Sequence, residues 1–248
     1  MFEDLKDEFV NKKDNGRPTI RNHTSTALAE YFGTALLVFL SCMGSCLGIQ
    51  GNISSMHSSL TAGLAVTIAI QTFGHISGAH INPAVSISAL IVKQIEWIQL
   101  PLYGIAQLLG SLSGAGLFAA VTNNDLIPDG MGQSCVNKIN ENISIYQGIL
   151  TEFLLSLIMN LAICSSWDPR NNDKQDSVPL KIGLLVAALN FAGGVYTGAS
   201  MNPARSFGPA VVSNNFANHW VYWLGPTLGA VTAAIIYRVF FTRNKDNS

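Results

Sequence analysis

The chain is short of charge. Of its 248 residues only 12% are Asp, Glu, Lys or Arg, where a soluble globular domain carries about 25%. It has no basic surplus either: the formal net charge is -1, so nothing recommends a nucleic-acid partner. Cysteine is scarce, with four in all at Cys42, Cys46, Cys135 and Cys164. Their spacing offers neither a metal site nor a disulfide framework. Three of them lie in apolar stretches and read as small apolar residues, while Cys135 stands alone in a more polar connection. A Ser/His/Asp constellation, a metal cluster and a phosphate loop are all missing, which argues against an enzyme and against any cofactor. What is plentiful is apolar sequence, at 48%, with 22 glycines scattered along it. The few charges crowd into the two ends and some short segments. This excludes a soluble enzyme and a disordered chain and points to a polytopic membrane protein.

A helix needs about 20 mostly apolar residues to cross a bilayer. Six stretches qualify: 27–49, 58–74, 98–121, 143–167, 178–196 and 219–241. Two further apolar pieces, 82–92 and 202–212, are too short to cross at about 1.5 Å rise per residue. Each opens on Asn-Pro and reads as a half-helix dipping into the membrane. Residues 1–26 form a polar tail without an apolar core, so no cleaved signal peptide is expected. A membrane domain is expected over 27–241, in two parts at about 27–121 and about 143–241, with a tail at 242–248.

Lys and Arg set the orientation. Lys6, Lys12, Lys13, Arg17, Arg21, Lys93, Arg170, Lys174, Lys181, Arg238, Arg243 and Lys245 all fall on one side if both termini are cytoplasmic. Lys138 lies in an outside loop and Arg205 in the second half-helix. Asn52 and Asn142 match the glycosylation sequon on outside loops, whereas Asn22 matches it on the cytoplasmic tail, where it is silent.

The chain repeats itself. Asn82-Pro83-Ala84 returns as Asn202-Pro203-Ala204 after 120 positions, Glu30 as Glu152 after 122, and Gly110 as Gly229 after 119. Each half holds three spans and one half-helix. Three is odd, so the second half enters the membrane inverted, and inverted repeats with broken helices place a solute site near the midplane. Asn favours the helix N-cap and Pro the first helical position. Asn82 and Asn202 therefore cap two half-helices that meet tip to tip. Their carboxamide oxygens are held by the backbone, and their NH₂ donors are offered to the gap. Each tip carries the positive end of a helix dipole, about half a charge, which orients a passing water and repels cations.

The segments Ser-Gly-Ala-His-Ile-Asn82-Pro83-Ala84-Val and Gly-Ala-Ser-Met-Asn202-Pro203-Ala204-Arg205-Ser-Phe-Gly-Pro resemble the signature loops of the aquaporin, or major intrinsic protein, family. The resemblance covers about residues 25–241. It implies an all-α membrane protein of six transmembrane helices plus two re-entrant half-helices, an inverted repeat forming a right-handed bundle with a central pore. It also implies a passive channel, no enzyme activity, a plasma-membrane location and a homotetramer with one pore per subunit. Gly104, Gly110, Gly114, Gly225 and Gly229 fit close packing within or between subunits. By resemblance Glu30 and Glu152 accept backbone N–H bonds from the half-helix loops, and Arg205 is the arginine of the outer selectivity filter. His75, His80 and His219 match positions near these loops, the first two as structural or gating residues.

Counting from the motifs places the other filter corners at Ala62, where water-selective members carry Phe, and at Asn190, where they carry His. The last corner is Ala199, often Cys in mercury-sensitive members. A methyl and a small amide thus replace two bulky rings. A slip of one residue would put Thr61 or Phe191 in place. Ser206, Ala210, Tyr222 and Trp223 follow the water-channel pattern, a mixture that resembles the entomoglyceroporin branch. The expected permeants are water, glycerol and urea, with a strict water channel as the alternative. An ion-coupled transporter or a junctional adhesion protein fits less well. The spans hold no coupling groups beyond Glu30, Glu152 and Arg205, and the outside loops are short and polar.

Overall fold

The computed structural model describes residues 20–46, 55–123 and 135–242. The expected sequon Asn52, residues 1–19 of the N-terminal tail and residues 243–248 of the C-terminal tail lie outside these residues, whereas 20–26, expected as tail, form the first turns of a helix. Among the described residues, six helices are long and apolar enough to cross a membrane. They are α1 (Ile20–Cys46), α2 (Ser55–Ser77), α4 (Gln99–Val121), α5 (Ile145–Ser166), α6 (Val178–Thr197) and α8 (Val221–Ile236), the last completed to a 21-residue span by a π-helical turn, Tyr237–Phe241. Two short helices stand between them, α3 (Pro83–Ile91) and α7 (Pro203–Val212). No strand occurs among the described residues.

The helix ends follow local chemistry. Asn82 and Asn202 sit in extended conformation (φ -161° and -149°) ahead of Pro83 and Pro203, each with its side chain accepting from the helix backbone. Ser144 and Gln147 form a capping box at the start of α5. The second helix is longer at both ends than the apolar stretch 58–74, because its polar flanks Ser55–Ser58 and His75–Ser77 continue the helix. Both α2 and α6 stop at a glycine with positive φ, Gly78 at 84° and Gly198 at 76°. Those conformations release the chain into the loops that lead to Asn82 and Asn202.

Packing repeats as the sequence does. Helix α1 lies on α4, α5 on α8, and α2 crosses α6, while α3 packs chiefly on α8 and α7 on α4. Each half-helix is thus held by a span of the opposite half. The close crossings rely on glycine. A Cβ on Gly110 or Gly114 would meet the carbonyls of Tyr31 or Ala35, and one on Gly225 or Gly229 would meet Glu152 or Phe153. Gly104 has open space within the chain. Leu28, Phe32, Ile105, Leu117, Leu150 and Val195 point outward, whereas Glu30, Gln107, Glu152 and Asn160 are wholly buried. That is the polarity of a lipid-facing bundle with a polar interior.

One expectation fails. Cys42 and Cys135 are joined in a disulfide, although they stand 93 positions apart. The segment at Cys135 folds back against α1, bringing the two Cα atoms within 5.0 Å. The cross-link is buried with Val38, Ala115 and Phe118. Cys135 is therefore not alone, and Cys42 is not a mere packing residue.

Candidate functional site

Two buried carboxylates build the site. Glu30 Oε1 accepts the Ser77 hydroxyl at 2.6 Å and the His80 N–H at 2.8 Å. Its Oε2 accepts the Ile81 N–H at 2.6 Å and the Gln107 side-chain amide at 2.8 Å. Glu152 repeats the pattern with Thr197 (2.6 Å), Ser200 N–H (2.9 Å) and Met201 N–H (2.8 Å). The Ala79 and Ala199 N–H groups donate to the Ser77 and Thr197 hydroxyls. These bonds hold Ala79, Ile81, Ala199 and Met201 at positive φ, between 44° and 54°, a region that is costly for any residue with a Cβ and most of all for branched Ile. In a trans peptide the carbonyl of one residue points opposite the N–H of the next. With the N–H groups of 79–81 and 199–201 turned toward the carboxylate side, the carbonyls of 78–80 and 198–200 turn the other way; that of Gly198 accepts Asn137 Nδ2, which leaves those of Gly78, Ala79, His80, Ala199 and Ser200.

They turn toward a cavity. It holds about 100 Å³ and is lined by those five residues together with Asn82, Asn202, Ala62, Asn190 and Arg205. At about 30 Å³ per water, it accommodates a short file of molecules rather than a bulk pool. The tips of α3 and α7 meet in it. Asn82 Oδ1 accepts from Ala84 N–H at 2.9 Å, and Asn202 Oδ1 from Ala204 and Arg205 N–H at 2.9 and 3.2 Å. Each NH₂ group also donates across the junction, Asn82 to the Met201 carbonyl (2.9 Å) and Asn202 to the Ile81 carbonyl (2.8 Å). This reciprocal clasp uses one hydrogen of each NH₂. Pro83, Ala84, Pro203 and Ala204 are not in the cavity wall; Ala84 and Ala204 are wholly buried in helix packing.

Toward one end of the cavity stand Ala62, Asn190, Ala199 and Arg205. Thr61 and Phe191 are absent from its wall. Phe191 is 43% exposed on the outer surface of α6, and Thr61 packs against Gly44. The Asn190 NH₂ donates back to the Val186 carbonyl at 3.0 Å, so one N–H and the amide oxygen remain to meet a solute. Arg205 Nη1 donates to the Cys135 carbonyl at 2.9 Å and to Asn137 Oδ1. Toward the other end the cavity shares Ile70, Gly78, His80, Ser166, Trp167 and Val178 with a vestibule of about 710 Å³, which His75 also lines. His80 is buried there between Tyr103 and Trp167, at ring separations of 5.2 and 5.6 Å. His219 lies elsewhere, accepting from Trp223 Nε1 at 3.0 Å.

Beyond the vestibule, Asp168 Oδ1 and Oδ2 accept Arg170 Nε and Nη2 at 2.7 and 2.5 Å, and Oδ2 accepts the Tyr237 hydroxyl at 2.8 Å. The Arg170 hydrogen bonds hold this carboxyl well below the usual carboxylate range. Sequence reasoning passed over this clasp, as it did Asn137, Gln107, Ser77, Thr197 and Trp167. The recurrence of a hydroxyl at 77 and 197 in otherwise repeated loops was the available signal for two of them.

The model of the family described as Major intrinsic protein matches residues 19–237. The lens fiber major intrinsic protein of Ovis aries is 38% identical over 209 residues, covering 84% of this chain and 78% of that protein. That of Lithobates pipiens is 39% identical over the same shares. Among solved structures, the aquaglyceroporin from Plasmodium falciparum matches the fold with a TM-score of 0.80, over 88% of this chain and 96% of that one, at 24% identity. A match over most of the chain, six apolar helices and two half-helices meeting at a narrow cavity lead to one conclusion: the chain belongs to the major intrinsic protein (aquaporin) family and is an integral, multi-pass membrane channel, not an enzyme.

Proposed function

We propose that the channel passes water and small uncharged solutes such as glycerol and urea, and excludes ions and protons. It works passively, as a homotetramer with one pore per subunit, in the plasma membrane with both termini cytoplasmic. The observation that carries this reading is the cavity wall itself. It unites Asn82 and Asn202 with Ala62, Asn190, Ala199 and Arg205. In the middle, a permeant meets the remaining N–H of each Asn and two positive helix ends, which turn a water's oxygen toward them and disfavour a cation. At the Arg205 end, taken as the outer constriction, the walls are a methyl, an amide, a second methyl and a guanidinium. A polyol can slide its CH groups past Ala62 and Ala199 while Arg205 and Asn190 bond its hydroxyls. This matters because a hydroxyl stripped of water without a partner costs about 1–3 kcal/mol.

Stopped-flow swelling of proteoliposomes in matched water, glycerol and urea gradients tests the reading. Ala62→Phe combined with Asn190→His is expected to cut glycerol flux far more than water flux, with each single change acting the same way but less. Absence of glycerol flux in the wild type, or equal flux in the double variant, would make this an ordinary water channel.

A further inference from the structure

The disulfide that the sequence did not announce ends beside the guanidinium at the constriction. Cys135 supplies two things at once. Its sulfur is bonded to Cys42 of α1, and its carbonyl accepts Arg205 Nη1 at 2.9 Å. Two residues on, Asn137 is buried and spends its whole side chain on the same site. Its Oδ1 accepts from Arg205 and, at 2.9 Å, from the Ser206 hydroxyl, and its Nδ2 donates to the Gly198 carbonyl at 3.1 Å. Asn140 then ties the segment to α6 through the Tyr196 and Val195 carbonyls at 2.8 and 2.9 Å. Arg205 itself belongs to α7. Its side chain is therefore held against the wall by a connecting segment, and that segment is fixed to repeat one by a single covalent link.

We propose that the Cys42–Cys135 disulfide is a positioning element for Arg205: by pinning the 135–137 segment to α1, it keeps the guanidinium on the wall and the lumen clear for uncharged solutes. The inference rests on the reading of Arg205 as part of the constriction. A cationic fork that loses its two fixed oxygen acceptors must find others, and the solvated lumen is where they are. Without the cross-link, Arg205 leans into the path, and the larger permeant suffers more than water. Burial of the pair fits a permanent staple rather than a reagent-accessible switch, since Cys42 is wholly buried and Cys135 nearly so.

The test is Cys42→Ala, a change on α1 that makes no direct contact with Arg205, reconstituted beside wild type and counted per channel. The expected result is a glycerol-to-water permeability ratio lowered by about twofold or more, the scale on which coupled neighbours interact. Asn137→Ala lowers the same ratio, and the double variant falls short of the product of the two single effects. Should Cys42→Ala fail to reach the membrane, Cys42→Ser, closer in size to the thiol and equally unable to form the bond, takes its place, with the same fall expected. A stabilising cross-link alone would lower yield and melting temperature and leave the per-channel ratio unmoved; that result overturns the inference, as would a raised ratio. So would alkylation of both Cys42 and Cys135 in wild type prepared without reductant. Arg205→Ala with the disulfide intact separates the two claims. If it leaves the ratio unmoved, the constriction reading fails; if it moves the ratio and Cys42→Ala does not, only the disulfide inference fails.

Discussion

The two re-entrant loops share a skeleton and differ in their chemistry. Residues 77–82 and 197–202 have the same sign of φ at matching positions, a buried carboxylate behind them and an Asn at the tip that donates to the other loop's carbonyl. Yet Glu30 gathers four donors and Glu152 three, because Gln107 adds its amide to the first cluster. Gln107 does so while its own Oε1 stays buried without a partner among the described residues. Where α7 carries Arg205, the matching place on α3 is the buried Val85. His80, wedged between two aromatic rings, becomes Ser200; each bonds the serine six residues on, Ser86 or Ser206, so what differs is the aromatic packing. The lesson is that duplication fixed the backbone, which must hold two helix tips together, and left the side chains free to make one end of the pore cationic and the other aromatic.

The strongest way to break the symmetry is to remove the carboxylates. Glu30→Ala orphans four donors and Glu152→Ala three, at about 1–3 kcal/mol for each buried group left unmade. Both variants are expected to lose several kcal/mol and much of their membrane abundance, with Glu30→Ala the worse. Thermal melting in detergent and quantified surface protein check this. Equal losses would mean that Gln107 contributes nothing to the first cluster.

The tips give the next effect. Asp caps a helix as well as Asn, but in Asn82→Asp or Asn202→Asp a carboxylate oxygen faces the carbonyl of Met201 or Ile81. The clasp is lost on that side and a negative charge enters the pore. Both variants are expected to leak cations. Asn82→Asp leaks more, because residue 202 has two backbone donors to its cap oxygen where residue 82 has one. Conductance of reconstituted protein reads this directly. Currents indistinguishable from wild type in folded protein would contradict a pore running between the two tips.

Much of this arrangement was legible before any coordinates. Asn-Pro at the head of each short apolar piece names both the cap and the first helical residue. Glu30 and Glu152 announce themselves as charges at equivalent places in apolar spans, where an ionisable group is expensive unless it has work to do. Other features resisted for physical reasons. The Cys42–Cys135 link joins residues 93 positions apart, and only the packing of a connecting segment on α1 makes them neighbours. Asn137 reads locally as one more polar loop residue, since its importance lies in three partners drawn from elsewhere in the chain. Ile81 at a φ of 47° contradicts its own preference, and the bond to Glu30 overrides it. Trp167 stands at the end of the expected span 143–167, and nothing local announces its contact with His80.

That ring pair sharpens the comparison between the two ends of the pore. Trp167 and His80 stand in the wall shared by cavity and vestibule, so Trp167→Ala widens the aromatic end without touching Arg205. It is expected to raise glycerol and water flux together and modestly, leaving their ratio near the wild-type value, whereas changes at Ala62 and Asn190 shift the ratio. A Trp167→Ala channel whose glycerol-to-water ratio changed as much as in the Ala62→Phe, Asn190→His variant would place selectivity at both ends.

The smallest effect concerns how the second half is stitched at that same end. Asp168 holds Arg170 and the Tyr237 hydroxyl, and Arg170 Nη2 reaches on to the Phe241 carbonyl at 2.8 Å. The link after α5 is thereby fastened to the turn Tyr237–Phe241 that continues α8. Because the folded-state pKa of Asp168 is depressed, the clasp contributes stability that is fully present above the unfolded carboxylate value of about 3.9 and is lost as the pH falls through the lower folded value. Arg170 is half exposed, so solvent screening keeps the contribution small. Asp168→Asn is expected to melt slightly lower than wild type at pH 7; the gap should hold down to about pH 4 and narrow steadily below it, as the pH falls toward the depressed folded value. Melting curves across that range decide it: a gap that stayed constant with pH would mean that packing around residue 168, rather than its charge, holds the two segments together.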